Sequence, residues 1–173
     1  MATEIERKWV LDDGVPPGVL DAAGVTASRL RQGYVALDGD VAVRVRVADE
    51  ATARLTVKAG SGLARTEVEV PIGLVDAGQL LGHAGGRMID KTRYAVPLPD
   101  RLIAEVDVYA GTLAGLVTVE VEFTSADDAD AFVAPAWFGR DVTDDPAWSN
   151  AALALHGRPD PWVRDSAWHY LGA

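Results

Sequence analysis

The 173-residue sequence has no cysteine and only three histidines. Without cysteine there are no disulfides and no thiolate metal sites, and the composition suits a reducing compartment, so a cytoplasmic location is expected. No apolar run approaches the roughly 20 residues that a membrane-spanning helix needs. An opening charged from Glu4 onward does not read as a signal peptide, so no membrane partner is expected. Basic residues are the minority: 16 Lys and Arg stand against 26 Asp and Glu, a net charge of −10. A general nucleic-acid binder needs a basic surface to displace counterions from phosphates, so that class is disfavoured. The glycine-rich stretch "AGSG" at 59–62 lacks the GK[ST] ending of a phosphate-binding P-loop and reads as a hairpin turn. His83, His156 and His169 have no ligand-like spacing, so surface or packing roles are expected for them.

What the chain does have is 49% hydrophobic residues, enough for one good core, and a single domain over 1–173 is expected. The patterning is mostly β. Alternating or turn-bounded runs predict strands over Thr3 to Val10, Arg29 to Leu37, Val41 to Ala48, Thr52 to Lys58, Ala64 to Pro71, Met88 to Val96, Leu102 to Tyr109 and Val117 to Thr124. "DGD" at 38–40 marks a hairpin. "DDGVPPGVLDAAG" at 12–24 reads as a turn leading into a short helix, and helical signals fall in Leu74 to His83, after Ser125 as an N-cap, in "SNAALAL" and in Pro161 to Leu171. Trp137, Trp148, Trp162 and Trp168 crowd the last third, so residues 125–173 read as an apolar helical cover docked on the strands.

The strand phases carry the functional signal. Glu4, Glu6 and Lys8 share one face of the first strand. So do Arg44 and Arg46, Arg54 and Lys58, Glu67 and Glu69, Lys91 and Arg93, Glu105 and Asp107, and Glu120 and Glu122. The opposite faces are mostly apolar. The ordinary meaning of such alternation is a solvated face over a core. Here, however, the polar positions are nearly all fully charged and segregate by sign within each strand, which costs stability on a plain surface. Closing eight antiparallel strands into a barrel with the charged face inward gives a near-neutral lumen suited to ionic ligands. The expected fold class is therefore α+β, mostly β: a closed eight-stranded antiparallel tunnel with flanking helices.

"EIERK" at 4–8 resembles the ExExK signature of the CYTH superfamily, the triphosphate tunnel metalloenzymes. "QGY" at 32, "RVR" at 44, "LTVK" at 55, "RTEVEV" at 65, "KTRY" at 91, "EVDVY" at 105, "VEVEF" at 119 and "DVTDDPAWSNAALA" at 141 follow in that family's order. Trp148 departs from the pattern where Tyr is expected, a change that concerns packing. The resemblance implies a tunnel that binds a triphosphate and divalent metal and hydrolyses or cyclises it.

Carboxylate pairs suit Mg²⁺ or Mn²⁺, which take oxygen ligands. Glu4, Glu6, Glu120 and Glu122 are the expected ligands, followed by Glu69 and Asp107. Arginine forks and lysine point charges suit phosphate oxygens. Lys8, Arg44, Arg46, Lys58, Arg93 and Arg54 are the expected substrate contacts. Lys91 is a phosphate contact or a general base, and Glu4 and Glu6 complete the catalytic set. Tyr34 and Tyr94 are read as tunnel lining or core. Arg7 and Arg65 fall out of phase and read as solvated.

The expected activity is metal-dependent hydrolysis of inorganic tripolyphosphate. A class IV type adenylate cyclase, a thiamine triphosphatase and a non-catalytic polyphosphate or nucleotide sensor are the alternatives. The expected partner is a small-molecule triphosphate, with a homodimer as a possible assembly and no nucleic acid.

Overall fold

The structure is a computed structural model that describes residues 2–60 and 64–159, with side chains described over 5–60 and 66–159. The last helix expected over Pro161 to Leu171, with Trp162, Trp168 and His169, lies outside the described residues. So does part of the "AGSG" turn. The side chains of Glu4 and Arg65 lie outside them as well.

Nine antiparallel strands make one sheet: β1 (Ala2–Val10), β2 (Thr26–Asp38), β3 (Val41–Ala48), β4 (Thr52–Ala59), β5 (Ala64–Ile72), β6 (Met88–Pro97), β7 (Ile103–Tyr109), β8 (Val117–Phe123) and β9 (Arg140–Asp141). Their order is β5-β4-β3-β2-β6-β7-β8-β1-β9, and β1 also pairs with β5, Ala2 opposite Glu67 and Ile5 opposite Ala64. The eight strands expected from alternation are all present. β9, only two residues long, is too short to leave a periodic signal. It runs beside Trp9 and Val10, and a Cβ on the preceding Gly139 would lie 2.0 Å from the Val10 carbonyl oxygen. Only glycine fits that approach.

The apolar strand faces point away from the charged ones and are covered by two helices. Helix α1 (Leu74–Gly82) lays Ala77, Leu80 and Leu81 on Val45, Val47, Ala53 and Leu55. This docking explains the glycine of "QGY": a Cβ on Gly33 would fall 2.9 Å from both the Leu81 and Ala84 side chains. Helix α2 (Ala126–Ala131) starts at Ser125, whose hydroxyl accepts from the Asp128 amide, as its sequence predicts. It closes a cluster of Trp9, Val106, Val119, Val121, Phe123 and Phe138, with Phe132 edge-on to Trp9 and Phe123.

Two expectations are corrected. Residues 12–24 form turns, not a helix: Gly14, Gly18 and Gly24 hold positive φ and the Pro16-Pro17 pair supplies no amide, so only turn bonds such as Val19 N to Pro16 O (3.3 Å) form. Helix α3 (Asn150–His156) does not lie on the outer face. With Trp148, its Leu153 packs on Val10, Ile89, Tyr109, Leu113, Leu116 and Val142. Val10 continues the phase of Glu6 and Lys8, and Tyr109 that of Glu105 and Asp107. The charged face therefore turns apolar at one end, and α3 stoppers it there.

Candidate functional site

Across the sheet the charged positions meet in rows, some of opposite and some of like sign. Arg44 on β3 stands opposite Thr56 on β4, and Thr56 opposite Glu69 on β5; Lys58 stands opposite Glu67. Arg93 on β6 stands opposite Asp107 on β7, Glu105 opposite Glu120 on β8, and Glu120 opposite Lys8 on β1. Glu6 stands opposite Glu122.

This face encloses a cavity of about 790 Å³. Its cations are Lys8, Arg44, Arg46, Lys58 and Arg93. Its carboxylates, which outnumber the cations among the described residues, are Glu6, Glu67, Glu69, Glu105, Glu120 and Glu122 from the strands, with Asp40, Asp144 and Asp145 from loops. Among the residues expected from the sequence, the structure thus gathers Glu6, Lys8, Arg44, Arg46, Lys58, Glu69, Arg93, Glu120 and Glu122. Arg54 stands apart, half exposed, 3.2 Å from Glu69, and lines a smaller cavity of about 230 Å³ shared with Arg46, Arg93 and Glu105. Tyr34 lines the main cavity, whereas Tyr94 packs in the outer core.

Lys91 and Asp107 are on the charged face yet do not line the cavity. Their side chains, 1% and 0% exposed, pair with each other at a deeper level of the strand. Burial alone favours a neutral amine. Attraction to Asp107 opposes that, while Arg93 reinforces it, and Lys91 settles low, at about 8. Asp107 is taken on its other side by a two-pronged fork from Arg93, Nε and Nη2 each at 2.7 Å. Burial raises its carboxyl, but Arg93 and Lys91 more than offset this and leave it below the ordinary value.

Arg93 also donates to Glu120 (2.7 Å) and to Glu105. Glu120 receives Lys8 on its other oxygen at 2.9 Å. Burial works against both ions of that pair. Their mutual attraction prevails, so Glu120 stays well below and Lys8 above the usual range. Glu105 is raised by burial despite Arg93. On the opposite wall, Glu69 receives Arg46 at 3.2 Å and Thr56 at 3.0 Å and lies 3.7 Å from Arg44. Burial, then repulsion from Arg44 and Arg93, lowers Arg46. The Arg44 Nε is buried with no hydrogen-bond partner, an orphan donor on the cavity wall. Among the described residues, no three His, Cys, Asp or Glu side chains converge in a metal-ligating group.

The depressed carboxylates predict acid lability. A carboxylate whose folded pKa lies below its unfolded value contributes stability above the unfolded pKa and loses it as pH falls toward the folded one. Glu120 and Asp107, with ordinary values of 4.5 and 3.8, are the buried ones; Asp49, Asp128 and Asp141 are lowered at more exposed positions, and the raised Glu105 works in the opposite sense. Urea melts are expected to show the midpoint holding from pH 7 to about 4.5 and dropping below that. A midpoint flat to pH 3 would contradict the pairing.

Uncharged partners carry no sign pattern in sequence, and several were missed. Thr56 bridges Arg44 and Glu69. The Thr143 hydroxyl accepts from the Lys8 amide at 3.1 Å. Asn150 reaches both Tyr109 and Glu120. Arg7, expected to be solvated, instead donates to the Ala129 and Phe132 carbonyls and to Asp141, tying α2 to β1.

An antiparallel β protein with ionic groups of both signs walling one deep cavity is the class this architecture defines. No family model matches the chain. It is 42% identical over 154 residues to an inorganic triphosphatase of Nitrosomonas europaea, covering 88% of this chain and 97% of that protein. An inorganic triphosphatase of Acetivibrio thermocellus is 36% identical over 155 residues, 88% of this chain and 94% of that one. A crystal structure of an inorganic triphosphatase superposes with a TM-score of 0.65 at 39% identity, covering 90% of this chain and 96% of the other. The chain belongs to the inorganic triphosphatases of the CYTH superfamily, the triphosphate tunnel metalloenzymes.

Proposed function

We propose that this protein is a divalent-metal-dependent triphosphatase that hydrolyses inorganic tripolyphosphate to pyrophosphate and phosphate inside a tunnel formed by β1 to β8. The observation that carries the reading is the cavity wall, where phosphate-binding cations and hard carboxylate oxygens interleave. The β1–β5 pairing supports closure of the sheet into that tunnel, and a single cytoplasmic domain goes with it.

Lys8, Arg44, Arg46, Lys58 and Arg93 bind phosphate oxygens. Arg54, at the rim, steers the anion. Glu6, Glu120 and Glu122, with Glu69 and the strand position of Glu4, are the oxygen donors that would have to draw together on Mg²⁺ or Mn²⁺, and their chemistry suits either ion. The excess of carboxylates over cations on the cavity wall among the described residues supports the fit, because hard oxygen donors of one sign suit a divalent cation. When bound, the metal supplies Lewis-acid neutralisation of the phosphate oxygens.

In the reaction a water oxygen bonds to the terminal phosphorus and gives up its proton to a cavity carboxylate while the bridging P–O bond breaks, and pyrophosphate leaves with the electron pair. The arginines hold the charge that develops on it. Lys91, walled off from the cavity, holds Asp107 and through it the Arg93 fork, and does not serve as base. Asp107, fully buried and not part of the cavity lining, stays outside the metal set.

Only Tyr34 and Trp148 bring aromatic rings to the cavity wall among the described residues, and Trp148 is buried in the stopper. Such a wall reads charge and offers an adenine or thiazolium ring no evident gain. Specificity constants at saturating Mg²⁺ are expected to favour tripolyphosphate over ATP by at least ~10-fold, about 1.4 kcal/mol of discrimination. Equal constants, or cyclic AMP among the products, would put a nucleotide enzyme in its place. Tight binding without turnover would make it a sensor.

A further inference from the structure

Asn150 is the first residue of α3, placed over the cavity by the docking of Trp148 and Leu153 into the apolar end of the sheet. Its Oδ1 accepts from the Tyr109 hydroxyl at 2.8 Å, and its Nδ2 lies 3.4 Å from Glu120 Oε1. The amide orientation is forced. Reversing it would set Oδ1 against a carboxylate that the surrounding cations keep ionised. The same Glu120 oxygen takes Lys8 Nζ at 2.9 Å, and the other takes Arg93 at 2.7 Å.

Lys8 gives one of its three N–H donors to Glu120, so a bound phosphate competes with Glu120 for its ammonium. Lys8 is held by its backbone as well: its amide donates to Thr143 Oγ1 and its carbonyl accepts from the Val142 amide at 2.8 Å. Its side chain can therefore turn without the strand moving. At that moment Oε1 of Glu120 loses its nearest donor, and Asn150 is the neutral donor already beside it. A neutral amide can hold a carboxylate in place without competing for the phosphate or cancelling the charge that a cation needs.

We propose that Asn150 is a positioning residue for Glu120, with the Tyr109 hydroxyl fixing its amide, so that the stopper helix α3 helps to order the cation-binding wall. The role in turnover rests on the triphosphatase reading; the role in cation binding does not.

Mn²⁺ binding to the metal-free protein, followed by the electron-spin resonance of free Mn²⁺, is the first measurement, and steady-state hydrolysis of tripolyphosphate the second. Asn150→Ala is expected to weaken Mn²⁺ binding by about 10-fold and to lower kcat by about 10-fold or more, with KM for tripolyphosphate within about 3-fold. Tyr109→Phe, which keeps the ring and removes the hydroxyl, is expected to move both in the same direction by less. The double variant should be no worse than Asn150→Ala alone, because both act through one amide.

Leu153→Ala supplies the packing control: a lower melting temperature, with Mn²⁺ affinity and kcat within about 2-fold at temperatures well below it. Parallel losses in Asn150→Ala and Leu153→Ala, or additive losses in the double variant, would reduce Asn150 to a packing residue and overturn the proposal. Should Asn150→Ala fail to fold, an unchanged Mn²⁺ affinity in Tyr109→Phe overturns it equally. If the wild-type protein does not hydrolyse tripolyphosphate, the functional reading falls while the Mn²⁺ measurements still decide the role of Asn150.

Discussion

Replacing Arg93 by alanine is expected to destabilise the fold by about 3–5 kcal/mol as well as to abolish tight triphosphate binding, whereas Arg44→Ala should spare the fold and weaken binding alone. Arg93 is 16% exposed and holds three carboxylates: a fork on Asp107, a bond to Glu120 and a bond to Glu105. Removing it leaves Asp107 fully buried with Lys91 alone and sets Glu105 directly opposite Glu120 with nothing between them. Breaking a buried pair by deleting one partner costs far more than the pair is worth, because the remaining charge keeps its desolvation penalty. Arg44, though 9% exposed, has looser ties: one hydrogen bond to Thr56 at 3.2 Å and carboxylates no nearer than 3.7 Å, at Glu69, and 3.8 Å, at Glu67. It is poised for an anion. Its loss is expected to cost about 1.5–3 kcal/mol of tripolyphosphate binding, the range of a hydrogen bond to a charged group. Urea melts and calorimetric titration of both variants check the contrast; equal stabilities would show that the Arg93 network contributes nothing to the fold.

That contrast also marks what sequence could convey. Phase has a period of two, so it identifies which side chains share a face, and every charged pair from Glu6 to Glu122 within the described side chains lies on the face expected of it. Phase says nothing about depth along the strand. Lys91 and Arg93 are two residues apart on one face, yet Arg93 opens to the cavity while Lys91 lies at the level of Tyr109, against the apolar stopper.

Depth depends on where the strands end and what fills the end. Here that is Trp148 and Leu153, a segment whose apolar pattern suits an outer cover as well as an inner one. Register is equally hidden. The bulge between Tyr34 and Ala36 on β2 shifts the alignment with β3, putting Tyr34 opposite Arg44 but Ala36 opposite Val43. The false helix at 12–24 came from reading Pro and Gly as a helix start and stop when the glycines fall too close together for a helix between them.

The second large effect is expected at Glu122. Glu122→Gln should lower kcat by on the order of 100-fold or more at limiting Mg²⁺ while leaving the melting temperature unchanged. Glu122 is exposed to the cavity, and its direct cross-strand partner is Glu6. A neutral amide at 122 keeps the shape of the carboxylate at an exposed position, so little stability is at stake there. The same change at Glu120, two residues earlier on the same face, should behave differently. Glu120 lies between Lys8 and Arg93 and is held ionised by them, so Glu120→Gln strips both cations of a buried partner and should lower stability together with activity. Rates across a Mg²⁺ series and metal-free melts of the two variants separate a ligand that serves only the cation from one that also holds the wall. Near-normal turnover by Glu122→Gln at limiting Mg²⁺ would remove Glu122 from the metal site. A stability loss at 122 matching that at 120 would mean that its carboxylate also has a structural cation.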